Sequence, residues 1–245
     1  MNLRVAVIGA KGRMGRTVCE AIEGASDMEL VARLDLGDEM ATLAGKAEVA
    51  VDFTHPDATE SNVHALIDAG VNMVVGTTGW NTDSLARVRE HLERASGVNV
   101  LIASNFALSA VLAMKFAAEA APLFESVEVI ELHHPNKVDA PSGTAVSTAQ
   151  GMAAARAEAG IGPSPDATEK SLDGARGAVV EGIHVHAIRL RGLVAHEEIV
   201  LGNPGEQLTI RTDSFDRISF MPGVLLAVRR IGERAGLTVG LDKLL

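Results

Sequence analysis

Arg4-Val5-Ala6-Val7-Ile8 runs straight into Gly9-Ala10-Lys11-Gly12-Arg13-Met14-Gly15, after which Met14, Val18 and Ile22 recur at helical spacing. A strand, a glycine turn and a helix in that order open a dinucleotide-binding fold. Gly9 permits the tight turn, Gly12 lets the backbone approach a pyrophosphate, and Gly15 lets the helix lie close to the strand. The spacing is G-x-x-G-x-x-G, a variant of G-x-G-x-x-G, and a glycine triplet alone is a weak signal. Its position strengthens it. The next predicted strand, Glu29 to Leu34, ends at Asp35, about 20 residues past the last glycine, where an acidic group accepts hydrogen bonds from an adenosine ribose. Asp35 repels a 2′-phosphate and favours NADH, whereas Lys11 and Arg13 can reach that phosphate; NADH and NADPH are both expected to serve.

Working outward, strands and helices keep alternating. Ala47 to Val51 reads as a strand, Ala58 to Ala69 as a helix closed by Gly70, Val71 to Val75 as a strand, Thr82 to Ala95 as a helix and Val98 to Ala103 as a strand. This order predicts a doubly wound, parallel α/β sheet of Rossmann type. Its strands run out into Asp52-Phe53-Thr54-His55-Pro56, Gly76-Thr77-Thr78-Gly79 and Ala103-Ser104-Asn105-Phe106. Gly76 with the Thr77 and Thr78 hydroxyls allows a close backbone approach and hydrogen bonds to a ribose or carboxamide. Trp80 reads as a lid on that loop in preference to a base-stacking platform.

The composition sets limits. With 245 residues the chain can bury a proper core in one large or two modest domains. Hydrophobic residues make up 47%, but Ala and Val are spread among glycines and charges, and no uninterrupted apolar run reaches the ~18 residues of a membrane helix. The N-terminus begins a strand at once, so a cytoplasmic protein is expected, without secretion or membrane insertion. A formal charge of −10 opposes nucleic-acid binding. Cys19 is the single cysteine, which excludes an intramolecular disulfide and fits a reducing compartment; beside Met14, Val18 and Ile22 it reads as a small core residue.

The densest chemistry lies at residues 131–145, Glu-Leu-His-His-Pro-Asn-Lys-Val-Asp-Ala-Pro-Ser-Gly-Thr-Ala. Val127 to Leu132 reads as a buried strand, so His133 and His134 fall at its end, while Ala145 to Ala159 is rich in helix formers. The loop therefore delivers Ser142, Gly143 and Thr144 to a helix start. Backbone N–H groups there, the Thr144 hydroxyl and the helix dipole suit a carboxylate or phosphate, and Lys137 adds a full positive charge. That is an oxyanion cradle facing an imidazole.

This segment resembles the E-x-H-H-x-x-K-x-D-A-P-S-G-T-A signature of the dihydrodipicolinate reductase family (4-hydroxy-tetrahydrodipicolinate reductases) of bacterial lysine and diaminopimelate synthesis, and the likeness extends over essentially the whole chain, including Asp-Phe-Thr-x-Pro at 52–56. The resemblance implies a reductase that uses NADH or NADPH and a dicarboxylate substrate. It makes His133 the proton donor or acceptor and Lys137 a proton donor easing loss of a hydroxyl as water, and it gives His134, Ser142, Gly143 and Thr144 to substrate binding. Gly9 to Met14, Asp35, Gly76 to Thr78 and Ala103 to Phe106 would then hold the cofactor, with Ser104 standing where Pro or Ala is also seen. It further implies a homotetramer built on the second domain's sheet.

That second domain is expected over 107–213, with the nucleotide domain formed by 1–106 and 214–245. Beyond the strand before His133 it should hold three late strands, Ile183 to Leu190, Val194 to Leu201 and Gln207 to Thr212, arranged as an antiparallel meander in an open mixed sheet. Between helix and strands, Ala159 to Gly182 is a long polar loop in which Arg176 is either a substrate clamp or a surface charge. His184 and His186 share a strand face, but no completing ligands stand at metal-site spacing; His55, His64, His91 and His196 read as surface or capping residues. Two other classes fit parts of the pattern: another Rossmann oxidoreductase, such as an aspartate or homoserine dehydrogenase, and a non-catalytic nucleotide sensor, for which the protonating residues would be unnecessary.

Overall fold

In the computed structural model, residues 2–95 and 97–245 are described. They form two compact units, Met1–Ala107 with Arg217–Leu245, and Leu108–Asp216. The first begins with β1 (Leu3–Ile8), α1 (Arg13–Glu23) and β2 (Met28–Leu34), then β3 (Val49–Asp52), α2 (Pro56–Asp68), β4 (Asn72–Val75), α3 (Thr82–Arg94) and β5 (Asn99–Ile102); the chain returns for α6 (Met221–Arg230) and β11 (Gly236–Val239). All strand pairs are parallel, in the order β11-β5-β4-β3-β1-β2. Helices cover both faces of such a sheet, so its central strands are apolar throughout; Val5 to Ile8 and Val49 to Asp52 are buried residue after residue. The tail does more than pack on this unit, since β11 adds a sixth strand beside β5.

Strand order reverses where β1 sends the chain to β2 on one side while β3 lies on the other. The crevice outside the carboxyl ends of strands at such a switch point is where open α/β sheets bind ligands. Here that crevice is edged by the glycine turn after β1 and by Phe53 and Thr54 after β3. Gly9 stands at φ +77°, and a Cβ there would meet the Phe53 carbonyl oxygen at 2.6 Å. A Cβ on Gly15 would lie 2.0 Å from the Gly9 carbonyl oxygen, so the close seat of α1 on the turn depends on that glycine.

The second unit holds α4 (Leu108–Ala120), β6 (Ser126–His133), α5 (Gly143–Glu158), β7 (Ala178–Val180), β8 (Ile183–Arg189), β9 (Ala195–Asn203) and β10 (Glu206–Ser214). Its sheet runs β10-β9-β6-β8-β7. The expected meander is therefore corrected: β9 and β10 form an antiparallel hairpin, but β6 lies between β8 and β9 and pairs with β8 in parallel. The reason is the connection. After α5 the chain enters the edge strand β7, antiparallel to β8, and the turn between the two sends β8 back in the direction of β6; alternation within a strand says nothing of its neighbours. Alanines of α4 and α5 (Ala113, Ala117, Ala145, Ala149) let both helices lie close over Val127, Val129, Val185, Ile199 and Leu201. On the other sheet face Glu128, Ile130, Leu132 and Val200 remain half-buried, and Ile188 is 40% exposed.

Arg156 ends α5 inside the protein, its guanidinium donating to the carbonyls of Ala121, Phe124, Glu125 and Gly162. It ties the start of the long 159–177 segment to the turn before β6. Among the described residues no helix is long and apolar enough to cross a membrane.

Candidate active site

On the first unit, Gly9 and Ala10 both donate to the Leu34 carbonyl and Gly12 to the Gly9 carbonyl, which shapes the turn. No side chain caps α1 at Gly12, so the first-turn amides of Arg13 and Met14 are left for a ligand. Asp35 follows β2, and its carboxylate accepts from the Leu36 and Lys11 N–H groups at 3.0 and 2.8 Å. These two amides hold it below the usual carboxylate range. A cleft of about 370 Å³ opens between Gly9, Gly12, Asp35, Leu36 and Asn62. A second, of about 360 Å³, is lined by Gly12, Arg13, Met14, Thr77, Thr78 and Arg217. The two share Gly12, Phe53 and Thr54. An elongated crevice with helix-start amides at its middle, an acidic group at one end and two cations at the other has the donor set of a dinucleotide site.

Beneath that crevice lies Asp52, fully buried. Its Oδ1 accepts from the Thr77, Thr54 and Thr59 hydroxyls and from the Thr54 N–H, and its Oδ2 from the Asn62 amide at 2.9 Å. Thr77 thus points inward to Asp52 at 2.7 Å and in turn accepts from the Thr54 N–H, so it fixes the loop it belongs to. Trp80 donates to the Thr77 carbonyl and packs on the core as the expected lid. At the end of β5, Ala103 and Phe106 are buried; the Phe106 ring meets Phe53 edge-on at 5.8 Å and is core, whereas Ser104 is exposed and Asn105 caps the Ala107 N–H.

On the second unit, β6 carries Glu131 with no exposed surface and ends at His133. Glu131 Oε2 lies 2.6 Å from His133 Nδ1, and both its oxygens take the Arg189 guanidinium, at 2.6 and 2.7 Å. Oε1 also accepts the Ser142 N–H at 2.9 Å. Burial opposes the Glu131 charge, but Arg189, His133 and the Ser142 amide outweigh it and hold the carboxyl below its usual range. Burial likewise pulls the His133 imidazole below its ordinary value, with Glu131 opposing and Lys137 and Arg189 adding to it.

His134 is exposed at the head of the loop, and its carbonyl accepts the Lys137 N–H. Lys137 Nζ sits 2.7 Å from Asp139 Oδ1, and the Gly143 N–H bonds the same carboxylate. Burial opposes the Asp139 charge, and the ammonium and amides prevail. Ser142, expected at the substrate, is buried; its hydroxyl caps α5 by accepting the Ala145 N–H and its own N–H serves Glu131. These bonds seat Gly143 and Thr144 at the start of α5.

Several histidines stand otherwise than the sequence indicates. His196 is buried, 2.7 Å from Asp213 and accepting the Val194 N–H, and so is no surface residue. His64 and His91 stack and bridge α2 to α3, whereas His55 caps α2 as expected. His186 pairs with Glu128 and His184 with the Arg176 carbonyl; among the described residues no cluster is arranged to hold a metal ion. Arg176 is paired with Glu128 and Asp166. Sequence reading missed Asp52, Glu131, Asp139 and Arg189 as the groups to which these loops are bonded, and Arg217 as a lining residue of the second cleft. Glu131 and Asp139 stood inside the 131–145 string; Arg189 is 58 residues from Glu131 and carries no local signal.

The Rossmann-type sheet with its glycine turn, joined to a unit carrying an imidazole and an anion cradle, defines an oxidoreductase of the nucleotide-dependent α/β class. Comparison with known proteins narrows it. The family profile for the N-terminal part of dihydrodipicolinate reductase matches residues 3–106 and that for its C-terminus residues 109–245. A curated 4-hydroxy-tetrahydrodipicolinate reductase of Beutenbergia cavernae is 67% identical over 99% of this chain and 98% of its own, and one of Nocardia farcinica is 57% identical over 100% and 99%. The solved dihydrodipicolinate reductase of Paenisporosarcina sp. TG-14, with dipicolinate bound, superposes with a TM-score of 0.89 at 35% identity and full coverage of both chains. The chain belongs to the dihydrodipicolinate reductase family.

Proposed function

We propose that the protein reduces 4-hydroxy-tetrahydrodipicolinate to tetrahydrodipicolinate, with loss of water, in the diaminopimelate route to lysine. The observation that carries this is the loop after β6. Its Lys137 ammonium and Gly143 N–H already bind a carboxylate, the protein's own Asp139, close in sequence to an imidazole fixed by a buried acid. A substrate carboxylate finds the same donors there, together with Thr144 at the start of α5. The relative from Paenisporosarcina, which holds dipicolinate, supports a planar dicarboxylate.

A reduced nicotinamide supplies the hydride. Gly9 to Met14 and Asp35 would hold the adenosine and pyrophosphate portion, and Gly76 to Thr78 with Ala103 to Asn105 the nicotinamide side, largely through backbone. NADH and NADPH both serve, because Asp35 disfavours a 2′-phosphate while Lys11 and Arg13 attract it. One hydride and one proton enter the ring, and one water leaves as the ring hydroxyl with a proton, the adjacent ring carbon giving up a proton that makes good the one Lys137 supplies. His133 delivers the proton; burial pulls its imidazole below the ordinary value and the Glu131 charge opposes that pull. Lys137 protonates the departing hydroxyl, and His134 hydrogen-bonds the substrate. The half-buried sheet face with Ile130, Leu132, Ile188 and Val200 serves a homotetramer, and a cytoplasmic setting fits the reduced cofactor.

The test is NADH oxidation followed by absorbance, with substrate made in place from pyruvate and aspartate semialdehyde by a coupled synthase. Oxidation should depend on the synthase and fall by about 10²–10⁴ in His133→Ala with NADH affinity kept. Cofactor binding without oxidation would instead leave a nucleotide sensor.

A further inference from the structure

Glu131 and Arg189 touch neither end of the proposed chemistry directly, yet His133, the Ser142 N–H and the Asp139 carbonyl are all bonded to them. Glu131 holds the His133 ring by Nδ1 and the Ser142 N–H in front of α5. Arg189, coming from the end of β8, binds both oxygens of Glu131 and donates to the Asp139 carbonyl at 2.7 Å. The pair thus grips the loop between His133 and Gly143 at both ends, at His133 where it begins and at Asp139 and Ser142 toward its close. Register explains why it is in place: β6 and β8 run in parallel with His133 opposite Arg189, so the guanidinium crosses one strand spacing to reach the carboxylate.

We propose that Glu131 and Arg189 act together as the positioning pair of this site, fixing the His133 ring with its Nδ1 hydrogen on Glu131 and its Nε2 toward the substrate, and holding the anion cradle at a set distance from it. A carboxylate can only accept, so the hydrogen between the two groups belongs to the imidazole. Nε2 is then the nitrogen that gains and loses the transferred proton. The two members pull in opposite directions on that proton. The Glu131 charge favours the imidazolium, and Arg189 disfavours it.

This inference rests on the reading of His133 as the proton carrier, and its test separates the two. Turnover is measured against pH in Glu131→Gln and Arg189→Gln, with NADH binding, read from Trp80 fluorescence, as the check that the fold is kept. Glu131→Gln should move the alkaline limb of kcat/KM to lower pH by about one unit, and Arg189→Gln should move it to higher pH while raising KM more than it lowers kcat. Limbs that stay in place, or move together, overturn the proposal, since a merely structural pair would lower activity alike at every pH. The unmutated protein gives an independent readout that needs no variant to fold. The nitrogen chemical shifts of the neutral His133 ring should be those of the Nδ1–H form, and a predominant Nε2–H form overturns the proposal. Undiminished turnover in His133→Ala would sink the proton-carrier reading while leaving the ring shifts to decide the positioning.

Discussion

Each unit hides one fully buried carboxylate under its site, and the two are satisfied in opposite ways. Asp52, under the cofactor crevice, is held only by neutral donors, three threonine hydroxyls, one backbone amide and one side-chain amide. Glu131, under the cradle, is held by a guanidinium and an imidazole as well as an amide. The first arrangement sets the shape of two loops and leaves the chemistry to the ligand. The second sets shape and protonation together, because its partners are themselves charged or titrating. Such a division suits a reductase in which the hydride comes from a cofactor and the proton from the protein.

The comparison can be broken by truncation. Glu131→Ala should lower stability the most, by about 3–5 kcal/mol, because the half-buried Arg189 guanidinium, the His133 ring and the buried Ser142 N–H all lose their common acceptor. Asp52→Ala should cost less, about 1–3 kcal/mol, since only neutral donors lose a partner. Urea unfolding monitored by circular dichroism ranks the two, and equal losses would erase the distinction drawn here.

Glu197 sharpens it. It stands opposite Glu131 on β9, 4% exposed, with Oε1 on the Thr148 hydroxyl and Oε2 without a partner among the described residues. Burial first and the Glu131 charge next push its carboxyl up to about 7, the Thr148 bond opposing them. A carboxyl raised in the folded state contributes stability that is whole below its ordinary value of 4.5 and is lost as pH climbs through about 7. Glu197→Gln should therefore match the parent protein below pH 4.5 and exceed it by about 1–3 kcal/mol at pH 8. Melting temperatures across that range check it, and a gap that narrows with rising pH would refute it.

The smallest stability effect is expected at Gly143. Nothing lies within 4 Å of a Cβ built there, so Gly143→Ala should leave the melting temperature unchanged and raise KM for the dicarboxylate alone. An unchanged KM would show that the substrate does not occupy the open space beside this glycine.

Much of the fold was legible because its signals are local. The glycine turn after Val5 to Ile8, the alternation of strand and helix up to Ile102 and the acidic residue closing β2 all lie within short windows, and the structure places Gly9, Gly12 and Asp35 around one cleft. The site's inner supports were not legible. Asp52 reads as one more strand end until Thr77 and Asn62 are seen on it, and Glu131 as one more strand residue until Arg189 arrives from β8.

By itself, then, the sequence determined which stretches become strands and helices, where the backbone must turn without a side chain, and which loop gathers two histidines, a lysine and a helix start, because those properties follow from neighbours within a few residues. Only the tertiary structure decided that β6 separates β8 from β9 and that β8, entered from β7, sets Arg189 beside Glu131. It also decided that Glu197 is shut away next to a second carboxylate. Pairing between strands is chosen by how distant segments bury one another's apolar faces, and the charge state of a buried acid by whichever donors that packing brings within reach.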